Sequence, residues 1–597
     1  MRDLRVFLDA LRAEGELVEV ECEVDPNLEI AEVHRRVIAS NGPAILFKHP
    51  KGSTIPVVTN LFGTKKRVDL AFGPRAGEFV RRVASLPHEL MPPSLSKAWA
   101  QRDLAWQGLS IGLSRSAKGP VTEVIERPGD LTKIPMLTSW KEDGGAFVTL
   151  PLVYTEHPEN HSHNLGMYRI HRHGPSLTGV HWQIGKGGGF HHQIAEQAGQ
   201  ALPVNLYVGG PPGLICSAIA PLPENLPELL LASLLVGERL RTCDNPAGPL
   251  QLVADAEFAI VGKVPAGRRH PEGPFGDHYG YYSLQHDYPV IEVDAVLHRK
   301  GAIWPATVVG KPRQEDFYLG DFLQELLSPL FPLVMPTVRD LWSYGETGYH
   351  ALSAAVVRDR YHREAMASAF RILGEGQLSL TKFLILIDQP IDLKDFKKVL
   401  EHLLARFRPE TDLYVFANTS IDTLDYAGPE VNKGSKGVML GLGAPIRKLP
   451  ARFRGEVPRG VRNVAVYCPG CLVIEGPSFQ DDPGFADALA GAFPEWPLVV
   501  LVDNAVRAVA SDARFLWTAF TRMEPAADLH GKQSIVRNHL AFSGTIALDA
   551  RIKPWYPGEL FCDPDTASTV SRRWREYFPE SGRNVEMGDS DVGHLDR

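Results

Sequence analysis

The sequence has few cysteines, no long apolar run and no excess of basic charge. Six cysteines in 597 residues do not make a disulfide framework. No apolar run approaches the roughly 20 residues of a membrane-spanning helix. Lysine and arginine number 63 against 71 aspartate and glutamate residues, and a net charge of -8 argues against a general nucleic-acid or membrane-surface binder. The chain also lacks a P-loop, a G-x-S-x-G elbow, an H-E-x-x-H motif and a convincing G-x-G-x-x-G turn.

The amino terminus has the pattern of an amphipathic helix. Asp3 is its predicted N-cap and Gly15 its predicted end. The apolar residues that share one face are Leu4, Phe7, Leu8 and Leu11. The stretch is not a signal peptide, and its acidic residues fit a mitochondrial presequence poorly, so we expect a cytoplasmic protein.

The chain is too long for a single hydrophobic core, and its texture changes along its length. Residues 1–112 mix helical and strand patterns and predict an N-terminal α/β domain. Residues 113–325 carry short β-branched or alternating runs between Gly/Pro turns, which predict an antiparallel sheet or barrel with one helix in Pro227–Leu240. Residues 326–555 predict a C-terminal α/β domain, and residues 556–597 an extended arm. The predicted fold class is therefore mixed α/β and β.

Three apolar runs predict strands of the C-terminal domain. Phe383–Ile387 and Leu413–Phe416 flank an amphipathic helical pattern in Asp392–Phe407, which we interpret as a βαβ unit. Leu498–Val502 predicts a further strand of the same domain.

Some patterns leave their meaning open. Cys468 and Cys471 have the spacing of half a zinc site or a redox dithiol, but no second pair follows them, which favours a structural role. Residues 186–189 and 434–437 combine glycines with a lysine, and each is either a phosphate cradle or a plain Gly-rich turn. Eight of the 21 histidines lie in residues 157–192, without a spacing that decides between a metal site and solvated side chains.

The segment PEGPFGDHYG places Glu272 and Asp277 in a frame of glycine and proline. Gly and Pro impose unusual backbone angles, and acids in solvated loops need no such frame. The segment is therefore either an ordinary turn or part of a site that needs both carboxylates.

Other polar residues are also unusually placed. Asn164 and Arg169 lie at opposite ends of the apolar stretch NLGMYR, and in a regular strand they would point to opposite faces, so a shared pocket requires a bulge or an extended ligand. Arg169 could pair with Glu272, either to orient an anionic substrate or as a stabilising ion pair. Glu228 lies among leucines, where an unpaired carboxylate is costly to bury, unless it faces solvent.

Taken together, these segments resemble the UbiD family of non-oxidative decarboxylases. The resemblance rests on NLGMYR, Glu228, PEGPFGDHYGYY, the strand TKFLILID and GSKG, in the order and spacing of the family. The segments EDGGAFVTLP, TGVHWQ and ALDARIKP are most similar to the long subgroup linked to menaquinone biosynthesis. The resemblance implies a split β-barrel flavin domain in the middle of the chain, a C-terminal oligomerisation domain and a dihydroxynaphthoate-type substrate.

The resemblance also implies cofactors. Removal of CO2 from an aromatic acid leaves a carbanion that no side chain can delocalise, so a cofactor must act as electron sink. UbiD-like enzymes use prenylated FMN, held through Mn2+ beside K+. Carried over to this sequence, the metal ligands are Asn164 and Glu228, with oxygen atoms that suit a hard cation. The implied cofactor-binding residues are Asn164, Met167, Arg169, Gln183, Lys186, Glu228 and Lys436.

The implied catalytic residues are Arg169, Glu272 and Asp277. Arg169 orients the substrate carboxylate, Glu272 pairs with Arg169, and Asp277 supplies a proton to the carbon that loses CO2. Because Asp277 must be protonated at that step, we expect a raised pKa in an apolar pocket.

The sequence departs from the family at one position of the metal site. Gly185 aligns with a metal-binding histidine, and glycine offers no ligand atom, so we expect weaker metal binding. Gln183, His191, His192 or water could complete the metal shell.

The leading hypothesis is prenylated-FMN-dependent decarboxylation of an aromatic, bicyclic hydroxy acid. The alternatives are the same chemistry on a phenolic acid, carboxylation in reverse, or a catalytically silent flavin-binding subunit. The expected partners are a flavin prenyltransferase that supplies the cofactor and further copies of the chain in a homodimer or larger oligomer, with no nucleic acid and no membrane span.

Overall fold

The computed structural model describes residues 1–183, 187–222, 226–579 and 585–595. The chain forms two compact units, one made of Met1–Leu326 with Glu559–Arg597 and one made of Leu327–Gly558. The mixed α/β and β class expected from the sequence is confirmed, since both units combine helices with sheets. The boundaries of the four expected domains stay predictions.

The elements are numbered in chain order. The α-helices in the described part of the chain are α1 (Leu4–Ala13), α2 (Glu29–Ala39), α3 (Lys65–Phe72), α4 (Arg75–Glu89), α5 (Leu95–Ala100), α6 (Arg102–Leu109), α7 (Gly187–Gln197), α8 (Pro212–Ile219), α9 (Glu228–Val236), α10 (Glu315–Leu327), α11 (Phe331–Val334), α12 (Glu364–Ile372), α13 (Phe396–Leu404), α14 (Pro409–Asp412), α15 (Phe485–Leu489), α16 (Ala505–Ala508), α17 (Asp512–Thr521), α18 (Pro525–Asp528) and α19 (Pro564–Tyr577).

The strands, over the same residues, are β1 (Leu17–Val24), β2 (Ala44–Pro50), β3 (Val57–Thr59), β4 (Leu113–Ser116), β5 (Val124–Glu126), β6 (Phe147–Val148), β7 (Leu152–Glu156), β8 (His163–Gly166), β9 (Ile170–Arg172), β10 (Leu177–Val180), β11 (Leu202–Val208), β12 (Leu240–Cys243), β13 (Leu252–Val253), β14 (Phe258–Val264), β15 (Arg269–Glu272), β16 (His286–His298), β17 (Trp304–Pro305), β18 (Val338–Ser343), β19 (Leu352–Val357), β20 (Phe383–Ile387), β21 (Leu413–Ser420), β22 (Lys433–Gly441), β23 (Asn463–Cys468), β24 (Cys471–Glu475), β25 (Leu498–Val502), β26 (Leu529–Val536) and β27 (His539–Asp549).

The first helix confirms its sequence pattern. Asp3 caps α1 by accepting a hydrogen bond from the Val6 backbone N–H at 2.9 Å. Gly15 follows the helix with a φ of 66°, a left-handed conformation that favours glycine. The four apolar residues of the predicted face are all buried: Leu4, Phe7, Leu8 and Leu11.

The β-rich middle of the chain forms a ten-stranded sheet in which every pairing is antiparallel. Its path runs β6-β9-β10-β16-β14-β11-β7-β8, with β5 and β15 also paired to β16. The β-branched residues of β11, β14 and β16 contribute to the main core of this unit, and β11 and β14 are buried at nearly every position, on both faces of the sheet. The sheet carries the candidate site.

The stretch NLGMYR is not one continuous strand. β8 ends at Gly166 and β9 begins at Ile170, so Met167, Tyr168 and Arg169 lie in an irregular connection between them. The break removes the strict alternation of side chains along a strand. The irregularity that the sequence required for Asn164 and Arg169 to share a pocket is therefore present.

The carboxyl-terminal segment, expected to be an extended arm, contains the 14-residue helix α19. This helix packs against α2 and β1 in the first unit. The Tyr577 hydroxyl donates to Glu29 Oε1 at 2.5 Å, and Val570 and Tyr577 join the main core.

Among the helices of the described ranges, none is long and apolar enough to cross a membrane.

The second unit contains two five-stranded sheets rather than one. The sheet of β20 has the order β18-β19-β20-β22-β21, and that of β25 the order β23-β24-β25-β27-β26. The expected βαβ unit is wrong, because β20 pairs in parallel with β22 while β21 is an antiparallel edge strand of β22. The helical pattern did not reveal that the chain bypasses the position next to β20 before it returns as β22.

Candidate active site

The glycines of PEGPFGDHYG have a steric reason. Glu272 is the last residue of β15, and Asp277 follows in an irregular turn. Gly273 has a φ of 88°, a conformation that side chains disfavour. A Cβ at Gly276 would lie 2.1 Å from the Trp140 ring, so only glycine fits there. The frame therefore keeps the two carboxylates close to the core.

Arg169 joins the two carboxylates of this segment. Its Nε donates to Glu272 Oε1 at 2.7 Å and its Nη2 to Glu272 Oε2 at 2.8 Å, which is a bidentate pair. Its Nη1 donates to Asp277 Oδ2. Nη2 also donates to the Ser283 hydroxyl at 3.0 Å, and Ser283 accepts from the Phe275 backbone N–H at 3.1 Å. The contact between Arg169 and Glu272 expected from the sequence is confirmed, and Asp277 lies on the same guanidinium.

Two further residues complete the surroundings of Glu272. His181, just after β10, places Nδ1 3.1 Å from Glu272 Oε2. The ring of Tyr288 stacks on His181 with centroids 4.2 Å apart. We did not predict either residue as part of the site, although His181 lies in TGVHWQ, a segment that already resembled the long subgroup. That resemblance is the signal in the sequence that could have identified His181 as a site residue.

Electrostatics keep both carboxylates ionised. Burial opposes the ionisation of Glu272, but Arg169 and His181 outweigh it and lower the pKa of Glu272 to about 2. Burial also opposes ionisation of Asp277, but hydrogen bonding to His278 and the charge of Arg169 lower the pKa of Asp277 below its ordinary value. The expectation of a raised Asp277 pKa is therefore wrong for this arrangement, because the carboxylate contacts a guanidinium rather than an apolar pocket.

His278 lies beside Asp277 on the more exposed side of the cluster. Its Nδ1 is 2.7 Å from Asp277 Oδ1, and its side chain is 22% exposed against 11% for Asp277. Asp316 in α10 faces the same pair, and burial and the charge of Asp277 raise the pKa of Asp316 although His278 opposes this. Asp277 thus has titratable neighbours besides Arg169.

Asn164 and Glu228, the expected metal ligands, lie near each other. Glu228 is half-buried at the start of α9, and its Oε2 accepts a hydrogen bond from the backbone N–H of Leu165 at 3.1 Å. The half-buried carboxylate of Glu228 therefore has a hydrogen-bond partner and keeps some exposure to solvent. A Cβ at Gly187, the first residue of α7, would lie 2.4 Å from Asn164 Oδ1, so glycine permits this helix end to approach Asn164. The oxygen donors and glycine-lined helix end fit a hard cation with a phosphate.

The other expected cofactor residues are more scattered. Met167 lies in the connection between β8 and β9, where its backbone N–H donates to Ala218. Gln183 lies two residues after His181, before α7. Lys186 and Gly185 lie outside the described residues. The proposed roles of these four residues stay predictions.

Lys436 lies in the second unit, on β22, so GSKG is part of a strand and not a Gly-rich turn. Its Nζ donates to the carbonyl oxygens of Ser379 at 2.6 Å and Thr381 at 2.9 Å. Burial lowers the pKa of Lys436 to about 8. The expected role of Lys436 at a phosphate stays a prediction.

Among the described residues, the histidines of residues 157–192 and the two cysteines do not form a metal site. His191 places Nδ1 2.9 Å from the Thr155 hydroxyl, and burial together with His157 and His163 lowers the pKa of His191 to about 4. Cys468 and Cys471 are buried free thiols, and the two residues lie opposite each other in the strand register of the β23–β24 hairpin. In the part of the chain that the structure describes, no group of three or more His, Cys, Asp or Glu residues is arranged to hold a metal ion.

Comparison with known proteins identifies the family. Residues 8–86, 113–312 and 317–441 match the N-terminal, Rift-related and C-terminal domains of the 3-octaprenyl-4-hydroxybenzoate carboxy-lyase family, UbiD. A Chlamydia trachomatis serovar D protein is 50% identical over 589 residues, which cover 97% of this chain and 100% of that protein. A Chlamydia pneumoniae relative, named as a subunit of 4-hydroxybenzoate decarboxylase, is also 50% identical, over 580 residues that cover 97% of this chain and 99% of the relative.

Solved structures agree on the fold. Vanillic acid decarboxylase from Sedimentibacter hydroxybenzoicus, in closed form, matches with a TM-score of 0.66 at 23% identity, covering 77% of this chain and 95% of that chain. The UbiD-class enzyme HmfF from Pelotomaculum thermopropionicum was solved in an evolved dimeric form with prFMN. It matches with a TM-score of 0.61 at 23% identity, and the match covers 77% of this chain and 98% of the HmfF chain. The resemblance inferred from NLGMYR and PEGPFGDHYGYY is confirmed, and the chain belongs to the UbiD family of carboxy-lyases.

Proposed function

We propose that this chain is a prenylated-FMN-dependent decarboxylase of an aromatic hydroxy acid, with Arg169, Glu272 and Asp277 as its catalytic residues. The observation that carries the proposal is a single guanidinium held between two largely buried carboxylates. An ion pair kept only for stability needs one partner for each charge. A second carboxylate on the same cation provides a group that can exchange with a substrate and carry a proton.

Arg169 is the anchor for the substrate carboxylate. Glu272 binds Nε and Nη2, which fixes the plane of the guanidinium. The remaining Nη1 faces Asp277. When a substrate carboxylate accepts the hydrogen bond from Nη1, it takes the place of the Asp277 carboxylate at that donor. Glu272 therefore positions Arg169, and the negative charge of Glu272 stays paired with Arg169 when the substrate binds.

Asp277 is the proton donor in this proposal. When the substrate carboxylate takes the hydrogen bond from Arg169, Asp277 loses a cation that lowers its pKa, and the pKa of Asp277 then rises toward protonation. The bond between the ring carbon and the carboxylate carbon breaks, its electron pair stays with the ring carbon, CO2 leaves, and the Asp277 proton is added to that ring carbon. His278, in contact with Asp277 and closer to solvent, returns a proton to Asp277.

The cofactor is assigned to the neighbourhood of Asn164 and Glu228. Their oxygen atoms would hold Mn2+, and Gly187 lets the start of α7 approach Asn164 closely, so that this helix N-terminus would hold a phosphate. Prenylated FMN supplies, when bound, the electron sink that the carbanion needs. Support comes from the fold shared with HmfF, which was solved with prFMN. On the family resemblance alone, we propose K+, Met167, Gln183 and Lys186 as further parts of this cofactor site, and a cofactor-binding role for Lys436.

As the substrate we propose a dihydroxynaphthoate-type acid of menaquinone biosynthesis, because segments of the chain resemble the long subgroup of the family. The name of the Chlamydia pneumoniae relative, which refers to 4-hydroxybenzoate decarboxylase, favours a phenolic acid instead. We propose a flavin prenyltransferase as cofactor supplier and a homo-oligomer as the assembly.

A single substitution tests the proposal. Glu272→Gln, in protein co-expressed with a flavin prenyltransferase, should lower turnover more than about 100-fold because Arg169 loses the charge that positions it. Flavin absorbance and bound metal should stay at the wild-type level. The matched control is Glu19→Gln, which removes a partly exposed glutamate paired with Arg12 and should leave turnover unchanged.

The assay measures CO2 release from a dihydroxynaphthoate and from 4-hydroxybenzoate, with deuterium incorporation from D2O at the former carboxyl carbon. Turnover within tenfold of wild type in Glu272→Gln contradicts the assigned role. Absence of turnover by the flavin-loaded wild type on both acids would support the silent-subunit alternative.

A further inference from the structure

The two sheets of the second unit have the same topology. In the first, β18–β19 is antiparallel, β19–β20 and β20–β22 are parallel, and β22–β21 is antiparallel. In the second, β23–β24 is antiparallel, β24–β25 and β25–β27 are parallel, and β27–β26 is antiparallel. In each sheet the fourth strand along the chain takes the edge and the fifth takes the place inside it. We call residues 338–443 the first copy and residues 463–552 the second copy.

Equivalent aspartates follow the central strands of the two copies. Asp388 comes directly after β20, and its Oδ2 accepts a hydrogen bond from the Gly443 backbone N–H at 2.7 Å. Asp503 comes directly after β25, and its Oδ2 accepts from the Ile552 backbone N–H at 2.9 Å. In both copies the donor lies one residue beyond the position paired with the aspartate by strand register. In each copy, therefore, an aspartate at the equivalent position forms a hydrogen bond at the ends of the equivalent two strands.

The helices between the third and fourth strands also correspond. Asp395 caps α13 by accepting from Lys398 N–H, and Ser511 caps α17 by accepting from Arg514 N–H. The spacing from each N-cap to the last residue of the following short helix is 17 residues in both copies, from 395 to 412 and from 511 to 528.

The short helices repeat their internal hydrogen bond. α14 and α18 each begin with proline and end with aspartate directly before a leucine that opens the edge strand. Asp412 Oδ2 accepts from the Arg408 backbone N–H at 2.8 Å, and Asp528 Oδ2 accepts from the Glu524 backbone N–H at 2.7 Å. Agreement in strand order, strand sense, capping and spacing points to duplication of one module rather than to two unrelated folds.

The copies pack against each other reciprocally. α14 of the first copy contacts β27 of the second, and α18 of the second copy contacts β22 of the first. Since α14 corresponds to α18 and β22 to β27, each copy presents the same surface to the other. This is the arrangement of an isologous interface in a twofold-symmetric dimer.

The interface between the copies is built like a stable one. Phe396 of the first copy contacts Phe515 and Phe520 of the second, with ring centroids 6.3 and 5.9 Å apart, and all three rings are buried. The Ala526 backbone N–H donates to the buried Ser435 hydroxyl at 2.8 Å. At the edge of the interface, Lys397 Nζ lies 2.7 Å from Asp512 Oδ1. An aromatic centre with a polar edge is the composition of protein interfaces.

We propose that the second copy is a duplicate of the family's C-terminal module and occupies, within the same chain, the face of the first copy that would otherwise receive a second subunit. The match to the family's C-terminal domain ends at residue 441, before the second copy begins. Solved relatives are covered over 95–98% of their length by 77% of this chain, so this chain has additional residues. The partner of this face is a module of the same fold carried in cis, and any homo-oligomer has to use another surface.

Zero-length cross-linking of the full, unmodified chain tests the proposal. A carbodiimide joins Lys397 to Asp512 through an amide, with loss of water, because both side chains are about half exposed at 42% and 49% and lie in contact. The pair Lys398 and Asp395, also 2.7 Å apart but within the first copy, is an internal positive control. A mixture of equal parts 15N-labelled and unlabelled protein is cross-linked at two concentrations that differ tenfold, and the peptides are mapped by mass spectrometry.

The expected result is a cross-link between residues 397 and 512 in which both peptides carry the same isotope, with equal yield at both concentrations. Lys397→Arg should abolish this cross-link, whereas Lys398→Arg should remove only the internal control. Mixed-isotope peptides would show that the copies pair between chains and would overturn the proposal. Formation of the internal control without the cross-link between 397 and 512 would overturn it as well.

Discussion

Two buried ion networks in the first unit are similar in burial but differ in charge balance. The tail network ties the carboxyl-terminal segment to α2 and is built from Glu32, Arg35, Arg36 and His594, with the partly exposed Asp589 on the other side of His594. The site network consists of Arg169, Glu272 and Asp277. In the tail network two guanidinium groups share one carboxylate, whereas in the site network two carboxylates share one guanidinium.

The donors of the tail network are used to connect chain segments. Arg36 Nε donates to Glu32 at 2.6 Å, and its remaining nitrogens donate to the Ser571 hydroxyl at 2.7 Å and the Ala567 carbonyl at 2.9 Å. Arg35 donates to the Ser139 carbonyl at 2.8 Å. These contacts hold α19 and the loop before the central sheet in place, which is a structural function.

The site network has a surplus of negative charge instead. One of its carboxylates can gain a proton or give way to a substrate anion without leaving Arg169 unpaired. Burial of charge does not by itself identify a site, because buried ion pairs also serve stability. The ratio of anions to cations, and a partner such as His278 nearer to solvent, separate the two cases.

The largest effect should come from Asp277→Asn, which removes the proton donor of the site network. We expect turnover to fall by about 10²–10⁴-fold, the usual contribution of general acid catalysis. Thermal stability should change little in comparison, since Asn still accepts a hydrogen bond from Arg169. The measurement is the rate of CO2 release together with deuterium incorporation into the product.

Asp287→Asn, at an exposed position of β16, is the matched control and should retain wild-type rates. Undiminished deuterium incorporation in Asp277→Asn would show that another acid delivers the proton.

Glu32→Gln should have the opposite profile in the tail network. Removing the shared carboxylate leaves two buried guanidinium groups without their charge partner, which costs about 3–5 kcal/mol of unfolding free energy in buried pairs. Turnover per folded molecule should stay unchanged, because the tail network binds no substrate. Urea denaturation and activity at low temperature measure the two quantities.

Glu23→Gln, at an exposed position of β1, is the control and should leave both quantities unchanged. A Glu32→Gln protein that is as stable as wild type but inactive would reverse the assignment of the two networks.

The smallest effect should appear in the pH dependence of stability. The pKa of Glu272 is lowered from 4.5 to about 2, so its ionisation stabilises the folded state fully above pH 4.5. That contribution is lost as pH falls from 4.5 to about 2, because protonation breaks the pair with Arg169. Denaturation across this range should show a shallower pH dependence in Glu272→Gln than in wild type. Equal slopes would mean that Glu272 has no lowered pKa in the folded protein.

Sequence reasoning was most successful where a signal is local. The amphipathic helix with its cap at Asp3, the strand Phe383–Ile387 and the strand Leu498–Val502 were predicted from periodicity and composition and are present. The glycine frame around Glu272 was also recognised as unusual, and Gly276 explains it through its contact with Trp140.

Sequence reasoning failed where distant segments decide. β22 rather than β21 is the parallel neighbour of β20, because the pairing depends on where the chain returns and not on the strand pattern. The duplicated module was missed for a similar reason, since the two copies share topology and caps more than residue types. His181 was missed because only the antiparallel sheet brings it to Glu272, 91 residues further along the chain.

The sequence by itself determined the first helix, the strands Phe383–Ile387 and Leu498–Val502, the conformationally restricted loop around Glu272, and the family that the chain resembles, because these properties are read from neighbouring residues. The tertiary structure decided that Arg169 reaches Glu272 and Asp277, 103 and 108 residues away, and that Asp277 is ionised there. The physical reason is that the electrostatic environment of a carboxyl group is set by the atoms within a few ångströms of it. In this protein those atoms are brought together by the register of the ten-stranded sheet and by the break between β8 and β9, neither of which local periodicity specifies.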